Sequence, residues 1–571
     1  MFIVLAVLLA LSPFVIFELA LRAFDIARPQ THADPFVGFS NIHRLFDLDK
    51  ASGTCHTSHS QLHFFGRQSF PARKPANTFR IFCLGGSTVL GHPFLPPTAF
   101  PSWLKIELEG RDPSRPVETI NCGGMSYASY RLVPILEEIL TYEPDLVVVL
   151  TGHNEFLESR TYGHLKTRSP TRAWIEDKVY SLHTITLARK LAAGPRAKDG
   201  GATTDGKTNL GARVNARLDH VTGLASYRRD EAWRASVLEH FRFNLHRITE
   251  LAARAGVPVL LVRPGCNVRD CPPFKSEHRA DLTTAREHHW QALFDEGTEL
   301  ESSNVEQALD RYRQAAAIDD QHALLLFRLA RCLDRLGKID EGRTYYERAL
   351  DQDVCPLRIL PEIANTIESV ALETEVPLVN AHTLLGGANL PGNEHYVDHV
   401  HPGVRGHQKI ARAIAEKLVE IEIARVSANW SPEARRAALA RHFASLPELY
   451  FAQGRARVAN LDRWARRDPL LPDSQPADPR GVLARACGQI EFAELEPARA
   501  ALVRLFRGIG DQKGSISDRT LRIAQEFHES GNAQGAAMLL EVVRDHGSAE
   551  SCDKAAGLLE DQRIRTPSTT E

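Results

Sequence analysis

The sequence carries no excess of either charge: 69 Lys and Arg stand against 71 Asp and Glu. It therefore lacks the basic surplus or stripe that marks a nucleic-acid binder, and nucleic acid is not an expected partner. It also has no CxxC pair. Its nine cysteines, Cys55, Cys83, Cys122, Cys266, Cys271, Cys332, Cys355, Cys487 and Cys552, are odd in number and form neither a zinc nor a redox motif. Cys83 and Cys122 fall in apolar, strand-like runs and read as small core residues. Cys266 and Cys271 are near enough to close a small loop in an oxidising compartment, but cysteine usage decides no compartment. No Lys or Arg precedes the N-terminal apolar run, and no A-x-A cleavage site follows it. The first absence gives no support to a translocated C-terminus, and the second disfavours a cleaved signal peptide.

That run extends over sixteen apolar or small residues, Phe2 to Phe17, before Glu18 and Arg22 interrupt it. Its length falls between a signal h-region and a spanning helix of roughly 20 residues. Residues 1–22 are expected to be an uncleaved membrane anchor holding the protein outside the cytoplasm, with a buried N-terminal helix as the competing reading. The remainder is ordinary globular material, 43% hydrophobic and 25% charged, and 571 residues exceed one core. Domains of ~100–200 residues imply three or four structural units.

Residues 23–75 form an extension without a clear pattern. After it, Phe79–Leu84, Val117–Ile120, Leu146–Thr151, Val257–Val262 and Val376–Val379 are short β-branched or apolar runs. Amphipathic stretches of helix length separate them, such as Leu132–Tyr142 and Phe241–Ala255, and Gly406–Ile421 reads as a closing helix. Strand alternating with helix predicts a parallel, doubly wound sheet with ligands outside the carboxyl ends of its strands. Two segments interrupt the alternation. Residues 157–235, rich in Gly, Lys, Arg and Thr, are expected to form an irregular cap or loop. Residues 286–355 carry a 34-residue period, with Ala308 repeating as Gly342, Tyr312 as Tyr346 and Ala315 as Ala349. That spacing resembles tetratricopeptide repeats, although Glu296 or Gly297 stands where a tidy small residue belongs; a generic pair of helical hairpins is the alternative. Residues 430–571 read as a helical, repeat-like C-terminal domain ending in a frayed TPSTTE tail.

Reactive residue types gather at the predicted strand ends. Gly85-Gly86-Ser87-Thr88 follows the first strand, where flanking glycines can turn a serine hydroxyl outward as in a nucleophile elbow. Asn121-Cys122-Gly123-Gly124-Met125-Ser126 follows the second, where glycines let backbone N–H groups approach a substrate oxygen. Thr151-Gly152-His153-Asn154-Glu155 closes the third, and an Asn amide there can donate to a developing oxyanion. Asp398-His399-Val400-His401-Pro402 follows the fifth: an aspartate three residues from a histidine can orient the imidazole toward Ser87. The rival reading is a metal held by His395, His399 and Asp398 at helical spacing.

These four clusters, in this order, resemble the four blocks of SGNH (GDSL-like) hydrolases. The stretches INCGGMSYASYR, PDLVVVLTGHNEF and NVRDCPPFKSEH are similar to bacterial members with tetratricopeptide repeats inserted before the last block. The resemblance covers about residues 75–425. It implies a flavodoxin-like three-layer α/β sandwich, in residues 76–285 and 356–425, and acyl transfer without metal or other cofactor. It also implies Ser87 as nucleophile, His401 as general base and Asp398 as its orienting group. Asn154 and the Ser87 N–H are implied as oxyanion donors, with Ser126 and Gly124 as candidates for a third. Gly86 stands where many members have Asp. The expected function is ester hydrolysis or transfer through an acyl-Ser87 intermediate, with acetyl on a carbohydrate as the favoured substrate. The alternatives are a lipase or thioesterase acting on longer chains, or a scaffold that binds a protein partner through its repeats beside a vestigial site.

Overall fold

The computed structural model describes residues 12–21, 34–39, 43–162, 184–185, 187–188, 208–387, 390–465, 479–510 and 513–565. Residues 1–11 and 22 of the expected anchor lie outside that set, as do residues 163–183 and 189–207 of the expected cap and the TPSTTE tail. Residues 12–21 are helical. Among the described residues no helix is long and apolar enough to cross a membrane.

The chain divides into two compact units, residues 1–43 with 158–215, and residues 44–157 with 216–571. In the first, β1 (Val37–Phe39) pairs in parallel with a second short strand, Thr208–Leu210.

The second unit holds the expected sheet. Its N-terminal part, which had no legible pattern, is a three-stranded antiparallel sheet of β2 (Phe46–Asp49), β3 (Thr54–Thr57) and β4 (Ser69–Pro71). There follow β5 (Phe79–Gly85), β6 (Val117–Gly123) and β7 (Leu146–Leu150). With Thr208–Leu210 as β8, the last strands are β9 (Val259–Arg263) and β10 (Leu378–Asn380). The central sheet is all parallel, in the order β10-β9-β7-β5-β6. Counted along the chain this is the flavodoxin-like order 2-1-3-4-5, whose switch point lies between β5 and β7.

Strands buried on both faces read as continuous apolar runs rather than alternating ones, which is why FRIFCL and LVVVL stood out. Phe79, Ile81 and Cys83 of β5 and Leu146, Val148 and Leu150 of β7 share one core. Trp103, Leu104 and Leu108 of the helix Phe100–Arg111 join it, with Ile410, Ala411 and Ile414 of the helix Val404–Glu420. The opposite layer packs the helix Ser129–Ile139 on Glu231–Arg254, and that helix on Pro361–Glu373. Full burial of each such Leu, Val or Phe contributes roughly 1.5–3 kcal/mol. Helix Glu231–Arg254 starts inside the stretch expected to be an irregular cap, because Asp230 caps it by accepting from Trp233 N–H at 2.9 Å.

The open edge of β6 is covered by the extension. Gln68 pairs with it like a strand residue, its amide reaching Asn121 O at 2.6 Å and its carbonyl accepting Asn121 N–H at 2.9 Å. Arg80, fully buried, ties the two sheets by donating to Pro71 O, Tyr142 O and Glu118.

Between β9 and β10 the helices Thr284–Leu300, Val305–Ile318, Ala323–Arg335 and Ile339–Asp351 form two consecutive hairpins. All the period-matched residues, Ala308, Tyr312, Ala315, Gly342, Tyr346 and Ala349, are buried. Gly297 is the buried small residue of the first helix. A methyl on its Cα would meet the Tyr312 ring at 2.6–3.0 Å, so the glycine lets the two helices of the first hairpin close. Beyond Ser431 the described chain is helical to Arg565, in seven helices beginning with Pro432–Ala444 and Glu448–Ala465.

Candidate active site

The ends of β5, β6 and β7 meet at the switch point, together with a later loop that carries Asp398 and His401. Ser87 opens a one-turn helix, Ser87–Leu90, directly after β5, so its own N–H has no intrahelical acceptor. β6 runs three residues past its predicted end at Ile120, to Gly123. There a methyl would lie 2.1 Å from Leu90 N, so only glycine lets this strand press against the Ser87 helix. Asn121 fixes the same contact, its amide donating to Val89 O at 2.7 Å while its carbonyl accepts Gly123 N–H at 2.9 Å.

Ser87 meets Asp398 and His401, the latter 314 positions later in sequence, in one hydrogen-bonded line. Ser87 Oγ donates to His401 Nε2 at 2.7 Å, and His401 Nδ1 donates to Asp398 Oδ2 at 2.6 Å. The other carboxylate oxygen, Oδ1, accepts the N–H groups of Val400 and His401, both at 2.8 Å. That turn fixes the carboxylate relative to the imidazole, as Asp side chains do when they fold back on their own backbone. Burial alone would raise the Asp398 pKa. The charge and hydrogen bond of His401, then His399 and the His401 N–H, reverse this and hold the carboxyl well below its usual range. All three residues are nearly enclosed, Ser87 being 8% and His401 3% exposed.

The oxyanion candidates separate. Asn154 Nδ2 donates to Tyr127 O at 3.0 Å, which leaves its second N–H unassigned. Gly124 N–H is spent on Gly85 O at 2.9 Å and Met125 N–H on Phe64 O at 2.8 Å. Gly124 is therefore corrected from candidate donor to structural link between β5 and the turn. Ser126, held in the left-handed region with φ 63°, keeps an N–H to which no hydrogen bond is assigned among the described residues. Gly86 also acquires a reason: a methyl there would come within 2.6 Å of Asn154 Nδ2, so the side-chain amide occupies the space that any Cβ at position 86 would need.

The metal reading does not fit. None of residues 394–401 is helical, so His395 and His399 do not share a helical face. His395 Nε2 accepts from Lys409 Nζ at 2.7 Å. Among the described residues no three His, Cys, Asp or Glu side chains are arranged to hold an ion.

Several residues near the site had no assigned role in the sequence. His92, on the loop after the Ser87 helix, lies with its ring centroid 4.7 Å from that of His401. Among the described residues neither of its nitrogens has a hydrogen-bond partner, and burial, then the neighbouring His401, pushes its pKa down to about 3. Glu155, fully buried, accepts Ser129 N–H at 2.8 Å and Ser129 Oγ at 2.9 Å. It thus anchors the Asn154 turn to a helix N-terminus, where a carboxylate is favoured. Asn267 backs the Asp398 loop, donating from its side chain to Asp398 O at 3.1 Å and from its backbone to His399 O at 2.9 Å. Glu155 and Asn267 sit inside GHNEF and NVRDC, the stretches that carried the resemblance, so a signal was present although no role was.

Residues 299–354 match the family model of a tetratricopeptide repeat. That range runs from the end of the first helix of the two hairpins to just past the last one, which ends at Asp351. No curated protein matches the chain. Solved structures similar to it include an acetylxylan esterase from Geobacillus stearothermophilus, with 11% identity, 60% of this chain and 94% of that one covered, and a TM-score of 0.26. A GDSL-like lipase from Bacteroides thetaiotaomicron has 11% identity, with 60% and 88% covered and a TM-score of 0.24. At such values the likeness carries no argument about activity or substrate, for which the chain's own side chains are the basis.

Proposed function

We propose that this protein is a serine esterase of the SGNH type. The observation that supports it is the Ser87–His401–Asp398 hydrogen-bonded line at the switch point of a parallel sheet. Ser87 Oγ attacks the ester carbonyl carbon while its proton passes to His401 Nε2, and Asp398 stabilises the imidazolium so formed. The tetrahedral oxyanion lies among the free N–H of Asn154, the Ser87 N–H and the Ser126 N–H. Collapse breaks the ester C–O bond, and the leaving alcohol takes the proton from His401. Water, or a second hydroxyl in a transfer reaction, then gives its proton to His401 and attacks acyl-Ser87; the acyl–Oγ bond breaks, Ser87 Oγ takes the proton back from His401, and the acyl product leaves.

A short acyl group such as acetate on a carbohydrate is the proposed substrate, because Ser87 is nearly enclosed and its partner His401 packs against the His92 ring. The repeats are proposed to bring a protein partner to this module. A membrane tether through the N-terminal segment belongs to the same proposal, supported by the apolar run Phe2 to Phe17 and by exposed Phe14, Val15, Ile16, Phe17 and Leu19.

The test is reaction of the purified chain with a fluorophosphonate probe. Labelling that disappears in Ser87→Ala is expected; absence of labelling in a folded sample would refute the reading. Nitrophenyl esters of increasing chain length then test the acyl group, and a preference for long chains would rule out the acetyl proposal.

A further inference from the structure

The proposed chemistry depends on two loops, one following Ser87 and one carrying Asp398 and His401. The C-terminal helices grip both. On the first, Arg457 donates to Pro93 O at 2.9 Å, the Tyr450 hydroxyl meets Thr98 Oγ1 at 2.9 Å, and Phe94 packs on Phe492 with centroids 4.9 Å apart. The second loop is closed on itself by Val397 N–H to His401 O at 3.0 Å and Gly403 N–H to His395 O at 2.8 Å. Its base is fastened by charged side chains from two later helices, Pro479–Glu491 and Lys513–Glu529.

At the centre of that fastening is Glu491, 3% exposed. A methyl on Gly403 would sit 1.8 Å from Glu491 Oε2, so the carboxylate lies directly against the Gly403 backbone, two residues past His401. Glu491 Oε1 accepts from Arg405 Nε at 3.0 Å. The same guanidinium reaches Glu526 Oε2 at 2.9 Å and Glu394 O at 2.7 Å, and it lies 3.9 Å from the centroid of the Phe527 ring. The carboxylate thus sits at the N-terminus of the helix Val404–Glu420, where a negative charge is favoured. One buried arginine joins both ends of the histidine loop to the C-terminal helices. Removing one partner of such a buried pair leaves the other charge uncompensated, which costs more than a surface pair would.

We propose that Glu491 is a positioning residue for His401: through Gly403 and Arg405 it fixes the start of the helix that follows the Asp398–His401 turn and so holds the imidazole on Ser87. The proposal rests on the esterase reading for its catalytic consequence but not for its structural one. It makes the C-terminal helical region part of the active site rather than an appended module.

The experiment uses the full chain and two variants that act from opposite sides. Glu491→Gln keeps the shape and removes the charge. Gly403→Ala adds only a methyl against the carboxylate, since φ −70° and ψ 179° suit alanine. Three quantities are read: the fraction of molecules labelled by the fluorophosphonate, the rate constant per labelled site, and hydrogen exchange of residues 396–405. The expected result is an unchanged labelled fraction, a per-site rate lower by about 10- to 100-fold, the scale of a displacement of ~1 Å in a catalytic group, and faster exchange over 396–405. An unchanged per-site rate with unchanged exchange overturns the proposal, as does a loss confined to the labelled fraction, which marks a role in folding alone. Faster exchange in the variants of a protein whose wild type takes no label would refute the esterase reading and leave the positioning contact standing.

Discussion

Gly86→Ala isolates the contribution of Asn154 without touching it. The added methyl would lie 2.6 Å from Asn154 Nδ2 and 3.2 Å from Tyr127 O. Ordinary contact begins at 3.4 Å, so the amide must retreat by about 0.8 Å, and the bond to Tyr127 O that aims it at 3.0 Å must bend or break. Backbone strain is small, because Gly86 has φ −87° and ψ −154°, which alanine tolerates. The nucleophile, base and orienting carboxylate stay in place. Loss of one oxyanion donor costs about 2.7–4 kcal/mol of transition-state stabilisation, or roughly 10²–10³ in kcat. The assay is steady-state hydrolysis of a short-chain nitrophenyl ester, with the melting temperature measured on the same samples. A fall of roughly 10²–10³ in kcat, a KM changed by less than about threefold and a nearly unchanged Tm are expected, since the interaction is made only in the transition state. Asn154→Ala should give a similar loss, and the double variant should be little worse than either alone because both remove one donor. Full activity in Gly86→Ala, or multiplicative losses in the double variant, would refute the assignment of Asn154 to the oxyanion.

Asp398→Asn places an amide where three N–H groups converge, so it disrupts either the turn or the His401 tautomer; kcat is expected to fall by roughly 10³–10⁴, and retention of more than a tenth of the activity would count against the arrangement. Stability should decline as pH drops below about 6.5, because burial pushes His92, His399 and His407 down to about 3 and His153 and His395 to about 4. The unfolded chain then binds protons that the folded chain does not, at up to about 1.4 kcal/mol per pH unit for each histidine; a Tm flat between pH 7 and 5 would contradict it. Asp398 adds a loss of the same sign at lower pH: its folded pKa is depressed, so its contribution is complete above the usual carboxylate range and disappears as pH falls toward that folded value. Tyr312→Ala should destabilise the first repeat hairpin by about 3–5 kcal/mol, the cost of emptying a large aromatic site, with hydrogen exchange rising over residues 290–318 before the sheet is affected.

What could be read from the sequence was whatever local chain chemistry determines. Short apolar or β-branched runs marked all five strands of the central sheet, most plainly β5 and β7, because a strand buried on both faces needs unbroken apolar residues. The turn of Asp398 onto its own backbone spans three residues, and the repeat period reflects the packing of adjacent helices. Long-range acceptors were not legible. Gly124 N–H is spent because Gly85 O lies beside the turn, and Met125 N–H because Phe64 O does; Phe64 belongs to an extension whose short strands gave no pattern. Gly297 looked like a departure because its partner, the Tyr312 ring, is on the next helix. Glu491 is separated from Arg405 by 86 positions and lies in a region that read only as helical and repeat-like.

The insertion of helical hairpins between β9 and β10 raises a physical question, since those strands are neighbours and their ends must stay together. Loop closure grows only slowly with length, but a hinged insertion would let the adjoining loops wander. The chain prevents this at the junction. Asp353, at the exit of the hairpins, accepts Phe274 N–H at 2.9 Å and Lys275 N–H at 3.0 Å from the entry segment. Arg358, just beyond it, donates to Asn267 O at 3.1 Å and Cys271 O at 2.6 Å, and pairs with Asp353 at 3.3 Å. Both side chains are buried, so these bonds do not exchange freely with water. Asn267, held in this way, is the residue that donates to Asp398 O. The entry and exit of the repeats are therefore one rigid knot, and the loop carrying the base is braced from that knot on one side and from Glu491 and Arg405 on the other.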